Sequence, residues 1–306
     1  SSLFDLQFAV TLYPVIRLEA ATVLLQWATG GMLFCWFTTR HRVVGLGYGW
    51  LLRGVYFCFA AGALAAGLAF GVNPIREVAS AGVAIACLAG LAVSIVRRRA
   101  GVSGQTADFD RRSERVAAMT GIDRQVAVDE PGEGATTDLG PEFNPTFDLV
   151  PALIGSVGLV AAALGAGGNT FVALLRTLIG AAFIGAISDG MLLGHWYLVQ
   201  PGLPRRLLNE MVTALGWLWP LEVGALLLPV GMISVWTGSV DDGWGGLLGV
   251  MWAMCAITTI VLVFVTRAAL KEKYYSAVMA ATGLLYLAIL TAFGTDIVAR
   301  AILDQM

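Results

Sequence analysis

Charge is what this sequence has least of. Only 13% of its 306 residues are Asp, Glu, Lys or Arg, where a soluble domain carries about 25%. Lysine is almost missing: Lys271 and Lys273 stand together between two apolar runs. A retinal Schiff base needs a lysine in mid-span, so a rhodopsin-type pigment is excluded. The four cysteines, Cys35, Cys58, Cys87 and Cys255, all lie inside apolar runs and none forms a C-x-x-C pair. That pattern suggests neither a zinc site nor a disulfide framework, and the thiols read as small buried hydrophobes. Walker A, H-E-x-x-H and dinucleotide-binding fingerprints are also absent. A net charge of −2 calls for no nucleic acid partner.

What is present is long apolar sequence, 58% of the residues, with a mean hydropathy of +0.77. Crossing ~30 Å of hydrocarbon takes about 20 helical residues. Inside lipid every backbone polar group must pair within the protein, which permits helices or a closed barrel. A barrel would show alternating segments of ~10 residues; these runs are longer and continuously apolar. The expectation is an all-α polytopic membrane protein with the lipid bilayer as its first partner. Eight spans are predicted, near 9–38, 46–72, 77–97, 149–167, 170–200, 207–237, 244–268 and 274–300. They fall into a first membrane segment (1–97, three spans), a linker (98–148) and a second membrane segment (149–306, five spans). The first run is too long for a signal-peptide core, lacks a basic flank before it and contains Arg17 and Glu19, so it reads as a membrane helix.

The basic residues mark alternate ends of these spans: Arg40-His41-Arg42, Arg97-Arg98-Arg99, Arg205-Arg206, and Arg267 with Lys271 and Lys273. The other ends hold Asp5, Glu77, Asp241, Asp242, Asp296 and Asp304, with Arg76 and Arg300. The positive-inside rule then predicts basic loops in the cytoplasm of a bacterial-type inner membrane, with both termini outside. Within the cytoplasmic linker, 108–119 reads as an amphipathic helix whose Arg111, Arg112 and Arg115 meet anionic lipid, at about 1 kcal/mol each. Residues 129–145 are acidic and rich in Gly, Pro and Thr, the composition of a tether.

A faint internal repeat organises the spans. Moving 17–39 by 159 positions places Arg17 on Arg176 and Gly31-Met32-Leu33 on Gly190-Met191-Leu192; Gly30 then faces Asp189 in the alignment, and Trp36 faces His195. The copies run in the same direction four spans apart. They predict two four-helix halves related by an axis along the membrane normal.

Ionisable groups inside a membrane cost ~2.5–3.5 kcal/mol or more at its centre, so each needs a partner or a purpose. Arg17, Glu19 and Arg176 are placed in the outer parts of spans one and five. A rise of 1.5 Å per residue puts Asp189 about 18 Å from Pro201 and Glu222 about 24 Å from Arg206. The two carboxylates are therefore expected at similar depth on adjacent antiparallel helices. Pro220 and Pro229 break span six, and broken spans often line a cavity. Asp189, Glu222, Arg176, Arg17 and Glu19 form the candidate proton, ion or substrate set; structural ion pairing of either carboxylate with Arg176 or Arg17 is the alternative. Arg53, near the end of span two, is expected to snorkel. Asp241-Asp242-Gly243 is a slight cation motif.

The second candidate is His195-Trp196-Tyr197 at the cytoplasmic interface. A neutral imidazole can donate to a quinone carbonyl, with an aromatic ring against the quinone; the plain reading is an interfacial belt. Haem is disfavoured, because Met191 shares a helix with His195 and cannot be the opposed ligand. Ser188, Asp189 and His195 lie on one helix and make no triad.

The eight-span, two-bundle plan is similar in architecture, without a shared motif, to the quinone-reactive membrane subunits of bacterial oxidoreductases of the polysulfide-reductase type. That resemblance implies a subunit of a larger respiratory complex, anchoring other subunits and binding quinone. The mid-membrane carboxylates imply instead a proton- or ion-coupled secondary transporter. A membrane scaffold without a small-molecule site is the third expectation.

Overall fold

A computed structural model describes residues 19–104, 141–166, 169–228, 231–240 and 242–303. Among the described residues there are eight long helices: α1 (Ala20–Thr39), α2 (Leu46–Phe70), α3 (Pro74–Val96), α4 (Leu149–Gly165), α5 (Thr170–Val199), α6 (Arg205–Leu227), α7 (Leu247–Ala269) and α8 (Tyr275–Leu303). Local chemistry sets several of their starts. The Asn73 side chain accepts from the Arg76 N–H, with Pro74 at the first helical position, and Asn169 accepts from the N–H groups of Phe171 and Val172. Both satisfy donors that a helix start leaves without intrahelical partners.

Seven of these helices, all but α6, are long and apolar enough to cross a membrane. The chain is an all-α, multi-pass membrane protein. Helix α6 carries Arg205, Arg206, Asn209, Glu210 and Glu222, which lower its apolarity. It still runs antiparallel beside α5 along most of that helix. At one end the Tyr197 hydroxyl donates to the Pro204 carbonyl at 2.7 Å; at the other, Arg176 donates to the Ala225 carbonyl at 3.1 Å. Its 23 residues rise about 34 Å. Pro220 stays inside α6, and the helix ends at Leu227 with Leu228 extended, the conformation that a following proline favours. This helix is therefore shorter than the span expected at 207–237; a separate turn, Ile233–Trp236, follows it.

The helices close into two rings. Helix α1 packs against α2 and α4, and α3 packs against both of those; α5 packs against α6 and α8, and α7 packs against both of those. Although α4 follows the long segment, it completes the first ring. Helices α1 and α5 hold equivalent places, and they form the seam between the halves. At the seam the backbones touch: a Cβ on Gly30 would run into the Ala181 carbonyl, and one on Gly185 into the backbone of Gly30. Only glycine permits that approach. At the basic ends a second junction joins the rings. Glu210 of α6 binds Arg40 at 2.9 Å and His41 at 3.0 Å, both at the end of α1.

Large apolar side chains, among them Phe70, Val96, Leu153, Phe171 and Leu290, point outward from the bundle, as lipid requires. The expectations for Arg17, for the 108–119 helix with Arg111, Arg112 and Arg115, for Asp5, Asp241 and Asp304, for Pro229 and for 129–140 lie outside the described residues.

Candidate functional site

Helix α5 runs between the halves and carries Asp189, whose side chain is wholly buried. Tyr56 of α2 donates its hydroxyl to Asp189 Oδ1. The Tyr48 hydroxyl reaches the Asp189 main-chain carbonyl at 3.4 Å. Asp189 Oδ2 has no hydrogen-bond partner among the described residues. Its neighbour Ser188 accepts from Trp27 Nε1 at 2.8 Å. Arg176 is not the partner of Asp189: its guanidinium donates to the carbonyls of Ala225 and Leu228 and so caps the end of α6.

A second buried group sits nearer the other end of α5. Gly180 leaves room for Asp296 and Arg300 of α8, which a Cβ there would strike. Gly180 is nine residues from Asp189 (189 − 180), about 13 Å of helical rise. Glu222 of α6 is wholly buried, and neither of its oxygens accepts from an N–H or O–H donor among the described residues. Its carboxyl meets that of Asp296, with Arg300 and Arg176 as the neighbouring positive charges. Asp296 is also wholly buried; its Oδ1 takes Arg300 Nε at 2.7 Å, and its Oδ2 lacks a donor. Arg300 donates in addition to the Arg176 carbonyl at 2.7 Å. Asp189 and Glu222 thus belong to two separate groups rather than facing each other at one depth. Asp296 and Arg300 had read as charges of a water-facing helix end; tertiary packing buries Asp296 and half-buries Arg300.

An aromatic trio connects to both groups. The Trp27 ring stacks on Phe59 at 4.3 Å and meets Phe293 edge-on at 4.4 Å. Phe293 lies one turn before Asp296, and Trp27 is bonded to the residue before Asp189.

Toward the basic ends, Arg53 is 2% exposed, so it does not snorkel. It binds Asp148 through two parallel bonds, Nε to Oδ1 at 2.7 Å and Nη2 to Oδ2 at 2.8 Å. Ser94 accepts from it at 3.3 Å, and the Phe143 ring lies 4.3 Å away. Asp148 falls at the end of a polar segment, which is why the sequence offered no signal for it. At the opposite ends, Glu19 pairs with Arg76 at 3.0 Å, and Arg76 also holds Glu77 at 2.8 Å. Glu19 is therefore part of an ion-pair network that ties α1 to α3.

His195, Trp196 and Tyr197 point three ways. His195 is exposed, with Nδ1 3.4 Å from the Tyr286 hydroxyl. Trp196 packs at Gly47 and donates to Gln200 at 3.2 Å. Tyr197 is buried, its hydroxyl on Pro204 and its carbonyl taking the Tyr275 hydroxyl at 2.7 Å. Successive helical residues are rotated by about 100°, so these three do not converge on one quinone pocket. Outside the spans, the Asp242 carboxylate accepts from the N–H groups of Gly246 at 2.8 Å, Trp244 at 2.9 Å and Leu248 at 2.9 Å. Those backbone donors, Gly246 first, hold it below the usual carboxylate range. Asp242 caps the start of α7, and its oxygens are engaged there rather than left for a cation.

No family model, curated protein or solved structure matches this chain.

Proposed function

We propose that this chain is a proton- or ion-coupled secondary transporter, with its basic helix ends in the cytoplasm and the Glu222–Asp296 carboxyl pair as its ion-binding group. The observation that carries this reading is Glu222: a carboxyl wholly buried in an apolar bundle, with no donor on either oxygen and a second carboxyl beside it. A buried polar group without a partner is expensive, and in a membrane it marks an ion or proton pathway. A proton on either carboxyl supplies the missing hydrogen bond between them. A small monovalent cation would instead take the Glu222 oxygens and Asp296 Oδ2. When the ligand leaves, Arg300 and Arg176 remain to balance the negative charge. Two four-helix rings meeting at one glycine seam suit rocking of one half against the other. The reading as a quinone-binding subunit of a respiratory complex keeps only its architectural resemblance, because its three residues diverge.

The test is a screen of solute-driven currents across reconstituted proteoliposomes on a solid support, under imposed proton or sodium gradients. Cationic, anionic and neutral solutes are each tried. The wild-type protein is expected to give a gradient-dependent current for one class, and Glu222→Gln and Asp296→Asn to lose it. No current from the wild type with any solute, or a current that Glu222→Gln leaves unchanged, overturns the reading.

A further inference from the structure

Asp189 and the Glu222 group share no hydrogen bond or ion pair among the described residues; the Trp27–Phe59–Phe293 trio and the contact of Gly30 with Ala181 and Gly185 lie along the same stretch of α1 and α5. Toward the basic ends the picture reverses, and polar side chains succeed one another. Arg42 and Glu142 pair at 3.2 Å at the surface. They help to line a cavity of about 30 Å³, together with Thr39, Gly49, Phe143 and the buried Arg53; that is room for a water molecule. Arg53 holds Asp148. The Cys35 thiol donates to Asp148 Oδ2 at 3.7 Å, and the Cys35 carbonyl accepts from Thr38 Oγ1 at 2.9 Å. Thr38 Oγ1 lies 3.5 Å from the Tyr48 hydroxyl. Tyr48 and Tyr56 then bracket Asp189, whose Oδ2 has no partner among the described residues. The titratable groups around Asp189 are thus Tyr48 and Tyr56 from α2, Cys35 from α1 and Asp148 before α4. Met211 of α6 and Leu285 of α8 close on α5 at the next residue, Gly190.

We infer that this succession is a proton access path from the basic face to Asp189, separate from the Glu222–Asp296 group. The molecule then has two proton stations at two levels of α5, Asp189 on that helix and the Glu222–Asp296 pair on its neighbours α6 and α8, and this conformation opens Asp189 to the basic face alone. A proton from bulk water at the mouth is handed along past the Thr38 and Tyr48 hydroxyls to the Asp189 carboxyl. Only O–H bonds form and break, and the proton returns to water by the same route. The purpose of the path rests on the carrier reading; its geometry does not.

Infrared difference spectroscopy on the reconstituted full chain tests this. The C=O band of protonated Asp189, assigned by its loss in Asp189→Asn, is followed after a step in pH and after transfer to heavy water. If Asp189→Asn fails to fold, the shift of the same band in Tyr56→Phe assigns it. The band is expected to respond to both steps. The response is expected to be lost when a bulky methanethiosulfonate reagent is attached to the thiol introduced at the mouth by Thr39→Cys. A band that exchanges equally well with the mouth blocked, or that never responds, overturns the path. The two proposals fail separately. A Glu222-dependent current without exchange at Asp189 removes the path alone; exchange at Asp189 without any current removes the carrier reading alone.

Discussion

The two rings share a plan but differ in how far their buried carboxyls are paired, although Asp296 of the second ring does hold Arg300. In the α1–α4 half, each carboxylate described near the helix ends has a guanidinium on it: Glu19 and Glu77 share Arg76, Asp148 has Arg53, and Glu142 has Arg42. In the α5–α8 half, Asp189 and Glu222 are wholly buried and neither forms a salt bridge among the described residues. Architecture alone therefore does not decide whether a membrane charge is structural. The difference lies in the donors. A closed pair has offset its desolvation by hydrogen bonds, whereas an open carboxyl leaves that free energy available to a ligand.

Four experiments break or sharpen this contrast. The largest effect is expected from Arg53→Met, which strands Asp148 in the bundle. Breaking a buried pair from one side costs about 3–5 kcal/mol, so thermal unfolding in detergent should show a large loss. The double change Arg53→Met with Asp148→Leu should recover most of it, since apolar replacements of a whole pair are often tolerated. An unchanged melting temperature for Arg53→Met would remove the contrast from the first half.

Next comes Gly185→Val, which forces a side chain into the Gly30 backbone. Overpacking of this kind costs typically about 1–3 kcal/mol. The expected outcome is a lower melting temperature together with loss of the contact between the rings, read by crosslinking α1 to α5. Glu222→Gln should do far less to stability, within about 1 kcal/mol, because no donor is stranded when the charge is removed. Should it unfold the protein as Arg53→Met does, the group is structural and the two halves are alike.

The smallest effect is expected at Asp242. Its carboxylate is held below the usual range by the N–H groups at the start of α7. A depressed acid contributes its stabilisation fully above the unfolded value, about 3.9, and loses it as pH falls through the folded value. The wild type should therefore lose a little thermal stability on acidification below about pH 4, and Asp242→Asn should lack that part of the dependence. Identical profiles would show that the cap is energetically silent.

Much of the fold was legible because the signals are local. An apolar run of the right length must become a helix in lipid, and the alternation of basic ends separates one helix from the next. The exception was α6, whose polar residues lower its apolarity while α5 shields part of its length. The candidate site was legible only in part. Asp189 and Glu222 stand out as charges in mid-span, but their shared depth was inferred from two separate helices and did not survive packing. His195, Trp196 and Tyr197 looked like a group because they are consecutive, and a helix sends consecutive residues apart. Asp148 and Asp296 sat where charges usually meet water, so nothing in their neighbourhood marked them as buried.

The sequence by itself determined that the chain is helical, that it crosses a membrane many times, and that a few charges lie within the spans. Each of these follows from short-range chemistry: backbone hydrogen bonding and the transfer of side chains into hydrocarbon. Only the tertiary structure decided which charges close on a partner and which stay open. Arg53 finds Asp148 across 95 positions of chain, and Glu222 meets Asp296 with no donor between them. Pairing depends on which helices become neighbours and on the level at which they meet, and no single stretch of chain carries that information.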